Sequence, residues 1–283
     1  MEPADTLYRK PFMDITLIIE LLVLGLMAGF MAGLLGIGGG MVLVPFLTYL
    51  FSQRGIEDGL SVKMAIATAM ATIMLTSISS MRAHHKRQGV HWSIVKLMAP
   101  GVFLGALFAS VGVFSLIKGQ ALAAFFAVFV GYSAWKMWQS STSLGKSKPM
   151  PGVVGMASAG TGIGFLSGLV GAGGGFMTVP FLTHRGIPMH QAVGTSAAMG
   201  FPIAVFNTLG FVFSGWAVQG LPAGALGYVH TYAWLTLASA SVLMAPWGAK
   251  AAHSLPVKPL KRIFALVLVC LAVYMLGKAA GWV

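Results

Sequence analysis

The chain has 283 residues, 57% hydrophobic and 8% charged, with a mean hydropathy of +0.84 and a formal net charge of +12. A soluble domain carries roughly 25% charged residues, so this chain cannot cover its own surface against water. Long apolar stretches between short polar connections give an all-α polytopic membrane protein. A β-barrel's alternating segments do not occur. The cations are spread over short loops, a topology signal that excludes a nucleic-acid partner.

Glu2, Asp5 and Asp14 open the chain with no small-residue cleavage site, so 1–13 reads as a segment before a retained first span. An apolar span at 14–35 runs into the Gly38-Gly39-Gly40 break. A short piece at 41–51 follows, too short for a bilayer core that needs about 20 residues. Full spans are predicted near 61–81, 93–116 and 119–138. Residues 139–151 (QSSTSLGKSKPMP) form a polar linker. The plan then recurs: an apolar segment at 152–170, a glycine break, a short piece at 176–184, and spans near 190–214, 228–249 and 259–280. The domains are therefore repeat 1 (14–138), the linker, and repeat 2 (152–283). Each repeat holds a re-entrant, glycine-broken hairpin and three transmembrane helices.

The duplication is explicit. GLLGIGGGMVLVPFLT (33–48) aligns with GLVGAGGGFMTVPFLT (168–183) without a gap, identical at 11 of 16 positions. Loop charges add direction. The 82–92 loop holds Arg82, Lys86 and Arg87, and its counterpart at 215–227 holds none. Conversely, only Lys118 lies near 117–119, against Lys250, Lys258, Lys261 and Arg262 at 250–262. Opposite bias at equivalent loops predicts inverted repeats, with the linker cytoplasmic and both termini outside. A parallel four-plus-four arrangement is the rival, and it puts one of those loops on the wrong side.

Irregular backbone at membrane depth survives only against protein or a polar cavity. Breaks entering from opposite faces would meet near the midplane and present two helix N-termini there. Free N–H groups and the helix dipole favour an anion at such a point. The candidate substrate residues are thus Gly38, Gly39, Gly40 and Pro45, with Gly173, Gly174, Gly175 and Pro180. The competing reading is that these glycines serve helix packing. Thr68, Thr195, Ser196 and Asn207, on the span after each break, can donate to an oxyanion without adding charge or can bond between helices. No Asp or Glu follows Asp58, which excludes paired carboxylates, acidic metal cages and acidic proton relays along most of the chain, and suits an anion path. Glu20 is a proton-coupling candidate or an interfacial residue, and Lys96 snorkels. His84, His85 and His91 read as a solvated loop without metal; His190 and His230 have no assigned role. Cys270 reads as a packing residue, and Trp135, Trp138, Trp216 and Tyr228 as an interfacial belt. No cofactor motif or catalytic constellation is present.

The doubled G-x-G-G-G…P-F-L phrase, in a chain with eight apolar segments, resembles the TauE/SafE sulfite exporter family over about residues 14–281. The family motifs fall on Gly36, Gly38 to Gly40 and Pro45, and on Gly171, Gly173 to Gly175 and Pro180. The resemblance implies a multi-pass protein of the bacterial inner membrane that exports sulfite or a related small sulfur-containing or organic anion, driven by the proton motive force. The expected function is a secondary transporter working by alternating access, with a passive anion channel as the alternative. Its partners are the small anion and the lipid bilayer; a homo-oligomer is compatible with the chain.

Overall fold

A computed structural model describes residues 14–139, 149–254 and 257–282. The N-terminal segment 1–13 and most of the predicted linker (140–148) lie outside them. Ten helices follow in order: α1 (Ile15–Leu35), α2 (Gly40–Gln53), α3 (Asp58–His85), α4 (Trp92–Leu107), α5 (Gly119–Gln139), α6 (Val153–Val170), α7 (Gly175–Thr183), α8 (Met189–Gly215), α9 (Thr231–Ser254) and α10 (Val257–Ala280). A π-helical turn (Phe108–Val113) extends α4, and a small hairpin pairs β1 (Ala225–Leu226) with β2 (Val229–His230). Seven helices among the described residues are long and apolar enough to cross a membrane. α9 is not among them, although its 24 residues suffice in length, because Thr231, Thr236, Ser239 and Ser241 dilute its apolar character.

The first hairpin returns to the side it came from. Asp14 caps α1 by accepting from the Leu17 N–H at 2.8 Å, and its carboxylate pairs at 2.7 Å with Arg54, the residue just after α2. The start of α1 and the end of α2 are thereby tied together. At that end α10 finishes, where Lys278 pairs with Asp58 at the start of α3, and α5 begins, where Gly119 lies against Gly59.

At the opposite end α3 finishes beside the start of α8. Gly194 lies against Gly89, and the His91 ring bonds Gln191 at 2.8 Å. The far end of α8 packs near the start of α3, where the Phe211 ring meets Phe114 at 4.3 Å, tilted by 45°, and Lys63 lies over the same Phe114 ring. α3 and its counterpart α8 therefore run antiparallel. This is the inverted relation, and in a parallel duplication the two would run the same way. The α6–α7 hairpin opens on this second end, since α7 leads directly into the start of α8.

Small residues close the helix pairs. Gly25, Gly29 and Gly33, one turn apart on α1, face Leu237, Ser241 and Ala245 on α9. A Cβ at these glycines would lie 2.7, 2.3 and 2.0 Å from the facing carbonyl oxygens. The repeat equivalents on α6, Gly160 and Gly164, face Met98 and Val102 on α4 at 2.4 and 2.6 Å. This small-xxx-small contact lets backbones touch where no hydrophobic force drives helices together.

Three expectations are corrected. Tyr228 is no belt residue. The uncharged 215–227 loop leads into a hairpin folded inward, so Tyr228 is buried with its ring edge-on to Phe114 at 5.6 Å. Cys270 is exposed on the outer face of α10. His84 is not in a solvated loop: it lies buried in the last turn of α3, its Nε2 2.8 Å from the Gly33 carbonyl. Trp135, Trp138 and Trp216 are exposed as expected, and so are His85 and Lys96.

Candidate functional site

Each break is a stretch that only glycine completes easily. Gly36 and Gly171 end α1 and α6 in the left-handed region (φ 67° and 71°), and Gly39 and Gly174 precede α2 and α7 with φ 75° and 76°. A side chain is strained at such angles. The restarted helices have no side-chain cap, so the leading N–H groups at Gly40 and Met41, and at Gly175 and Phe176, have no partner within their helices. Pro45 and Pro180 lie inside α2 and α7. Each removes an N–H, freeing the carbonyl of Met41 or Phe176 four residues back.

The two breaks touch. A Cβ on Gly38 would lie 3.0 Å from the Gly173 Cα, and one on Gly173 would lie 3.1 Å from the Gly38 Cα. A Cβ on Gly40 would be 2.0 Å from the Gly171 carbonyl oxygen, and one on Gly175 would be 2.4 Å from that of Gly36. Each uncapped N-terminus therefore rests against the C-terminal carbonyl of the other hairpin.

The polar candidates divide. The Ser196 hydroxyl donates to the Gly36 carbonyl at 2.8 Å, so it sits on the first break. Thr68 and Thr195 are fully buried. Their hydroxyls accept the N–H of His230 and of His91, both at 3.0 Å. Those amides immediately precede α9 and α4, so the equivalent threonines clamp equivalent loops. Asn207 is buried, with Nδ2 donating to the Ile203 carbonyl at 2.9 Å and Oδ1, beside Gly168, without a partner among the described residues. Glu20 is exposed on α1 among outward-facing Ile19 and Val23. It stands 16 residues, about 24 Å of helix, before Gly36, and is not brought to the break.

Beside the first break lies a cavity that the motif did not indicate. It is lined by Ala32, Gly36, Gly38, Ser77, Ser80, Ala197 and Gly200, and measures about 10 Å³, room for roughly one water. Ser77 donates to the Met74 carbonyl at 3.0 Å, whereas the buried Ser80 Oγ has no partner among the described residues. Aligning Thr68 with Thr195 puts Gly200 opposite Ile73, whose side chain fills the space against Gly38, Gly40 and Gly173. A glycine in that place leaves the hollow on one side only. Ser77 and Ser80, three apart on one face of α3, were the legible signal. Among the described residues no group of three His, Cys, Asp or Glu could hold a metal.

Two broken hairpins that meet inside a helical membrane protein define a multi-pass transporter architecture, and the comparisons agree. Residues 21–275 match the family described as Sulfite exporter TauE/SafE, and the chain belongs to that family. A probable membrane transporter protein of Haemophilus influenzae is 37% identical over 93% of this chain and 99% of its own length. One of Methanocaldococcus jannaschii is 28% identical over 80% of each chain, and one of Bacillus subtilis is 28% identical over 69% of this chain and 78% of its own. No solved structure matches. The protein is a membrane transporter.

Proposed function

We propose that the chain is a secondary transporter that exports sulfite, or a related small sulfur-containing or organic anion, across the bacterial inner membrane. The observation that supports this reading is the contact between the two glycine breaks, each leading into an uncapped helix N-terminus, with Ser196 on the first break and the Ser80 Oγ, without a partner among the described residues, lining the adjoining hollow. N–H groups and hydroxyls hold an oxyanion without a fixed countercharge, and the absence of carboxylates leaves it unrepelled. In this reading Gly38 to Gly40 and Gly173 to Gly175 supply the anion contacts. Pro45 and Pro180 shape the restarted helices, and Thr68, Thr195 and Asn207 support the walls.

The breaks are closed on each other and the hollow holds about one water. A four-atom oxyanion needs them to part, which fits alternating access better than a continuous pore. The 82–92 end, with Arg82, Lys86 and Arg87, is the cytoplasmic one by its charge. Coupling is to protons, with Glu20 as the first carboxylate to test.

Labelled sulfite flux in proteoliposomes, with and without an imposed pH gradient, is the experiment. Accumulation against the sulfite gradient that collapses with the pH gradient supports the proposal. Flux that only dissipates the sulfite gradient and ignores pH supports a passive channel and overturns it.

A further inference from the structure

A second cavity, larger than the hollow at the breaks, lies elsewhere. It is an open groove of about 450 Å³ between α3 and α9, with Leu75, Ile78 and Val242 at one end and Arg82, Lys86 and Arg87 at the other, toward which Pro246 lies. At 100° per residue, Leu75, Ile78, Arg82 and Lys86 lie on the face of α3 opposite Ser77, Ser80 and His84, so the groove is separate from the candidate transport site. Its floor is sealed. Thr76 bonds Ser241 at 2.6 Å, and Ser79 donates to the Val242 carbonyl at 2.7 Å.

The groove changes character along its length. From Leu75 to Arg82 the helix rises about 10 Å and to Lys86 about 16 Å, passing from an apolar bed to three cations. None of these three side chains makes an ion pair or hydrogen bond with a described residue. No carboxylate is near, since every described acid lies at residue 58 or earlier, toward the other end of α3. Trp247, 62% exposed on α9 with Lys250 over its ring at 5.9 Å, marks the interfacial level at the cationic end. An apolar bed that ends in unpaired cations at the headgroup level is complementary to one leaflet's worth of an anionic lipid.

We propose that this groove binds one anionic phospholipid, its acyl chain along Leu75, Ile78 and Val242 and its phosphate between Arg82, Lys86 and Arg87. Basic recesses between transmembrane helices recognise anionic headgroups in this way, and each nearby cation contributes about fivefold in affinity. The site is independent of the transported anion.

The test is native mass spectrometry of the delipidated full chain, titrated with phosphatidylglycerol or phosphatidylcholine. One phosphatidylglycerol should bind in preference to phosphatidylcholine. The variant Arg82→Ala/Lys86→Ala/Arg87→Ala should lose affinity by about a hundredfold. Lys96→Ala/Lys118→Ala/Lys136→Ala, with its cations outside the groove, should bind as the wild type does. Undiminished binding by the groove variant, or equal binding of the two lipids, overturns the proposal. So does displacement of the lipid by equimolar inorganic phosphate, which would make the ligand a free anion. If the triple variant does not fold, Arg87→Gln at its exposed position must still lower affinity about fivefold, and no change there overturns the assignment equally.

Discussion

Replacing Gly200 by alanine separates stability from transport. Gly200 lies within α8, and its ideal Cβ would sit 3.4 Å from the Ser77 Cβ and 3.7 Å from the Gly173 carbonyl oxygen, ordinary contact distances. No neighbour has to move. Glycine is less favourable than alanine inside a helix by about 0.8–1.0 kcal/mol, so the variant should be at least as stable as the wild type. Yet the new methyl occupies most of a hollow sized for one water, against the break and opposite the Ser80 hydroxyl. If that hollow opens into the anion site, flux must fall at least tenfold while the thermal midpoint in nanodiscs holds or rises. The assay is paired: thermal unfolding of the purified protein and sulfite flux in proteoliposomes from the same preparation. Wild-type flux with normal concentration dependence would refute the placement of the site beside Gly200.

Three further outcomes follow from the same geometry. Gly40→Ala and Gly175→Ala, whose Cβ atoms would press to 2.0 and 2.4 Å on the opposite break's carbonyls, should insert but lose transport, with an overpacking cost of about 1–3 kcal/mol read in thermal unfolding. Ser196→Ala strips the Gly36 carbonyl of its hydroxyl donor and should cost about 1 kcal/mol, with a weaker apparent affinity for the anion in flux measurements. Thr195→Val and Thr68→Val remove acceptors for the His91 and His230 amides; they should lower stability by about 1–2 kcal/mol yet leave the flux KM unchanged, and a raised KM would return these threonines to the binding site.

The duplicated phrase was legible because glycine and proline act through the backbone, where sequence and conformation are tied most closely. Gly36, Gly39, Gly171 and Gly174 were therefore readable as breaks, and the starts of α2 and α7 fall within a residue of where the motif put them. The antiparallel course of α3 and α8 was readable too, through the opposed charge of equivalent loops. The stripe at Gly25, Gly29 and Gly33 was equally visible and recurs at Gly160, Gly164 and Gly168. It separates the packing glycines from those of the breaks. Gly200 could not be read locally, because what it does depends on which side chain, Ile73, fills the same place in the other repeat. The threonines show the converse: their equivalence was plain, but the amides they hold lie 162 and 104 residues away in sequence, contacts that only tertiary structure reveals. His84 was misread from its cationic neighbours, since a helix that continues past the expected end carries it inward to Gly33.

The most direct test of the central claim is to find where the anion rests. A cryo-EM structure of the protein in lipid nanodiscs with saturating sulfite should show the two breaks parted and density within hydrogen-bond distance of the N–H groups at Gly39 to Met41 and Gly174 to Phe176. Bound sulfite elsewhere, with Gly38 and Gly173 still in contact, would contradict the account.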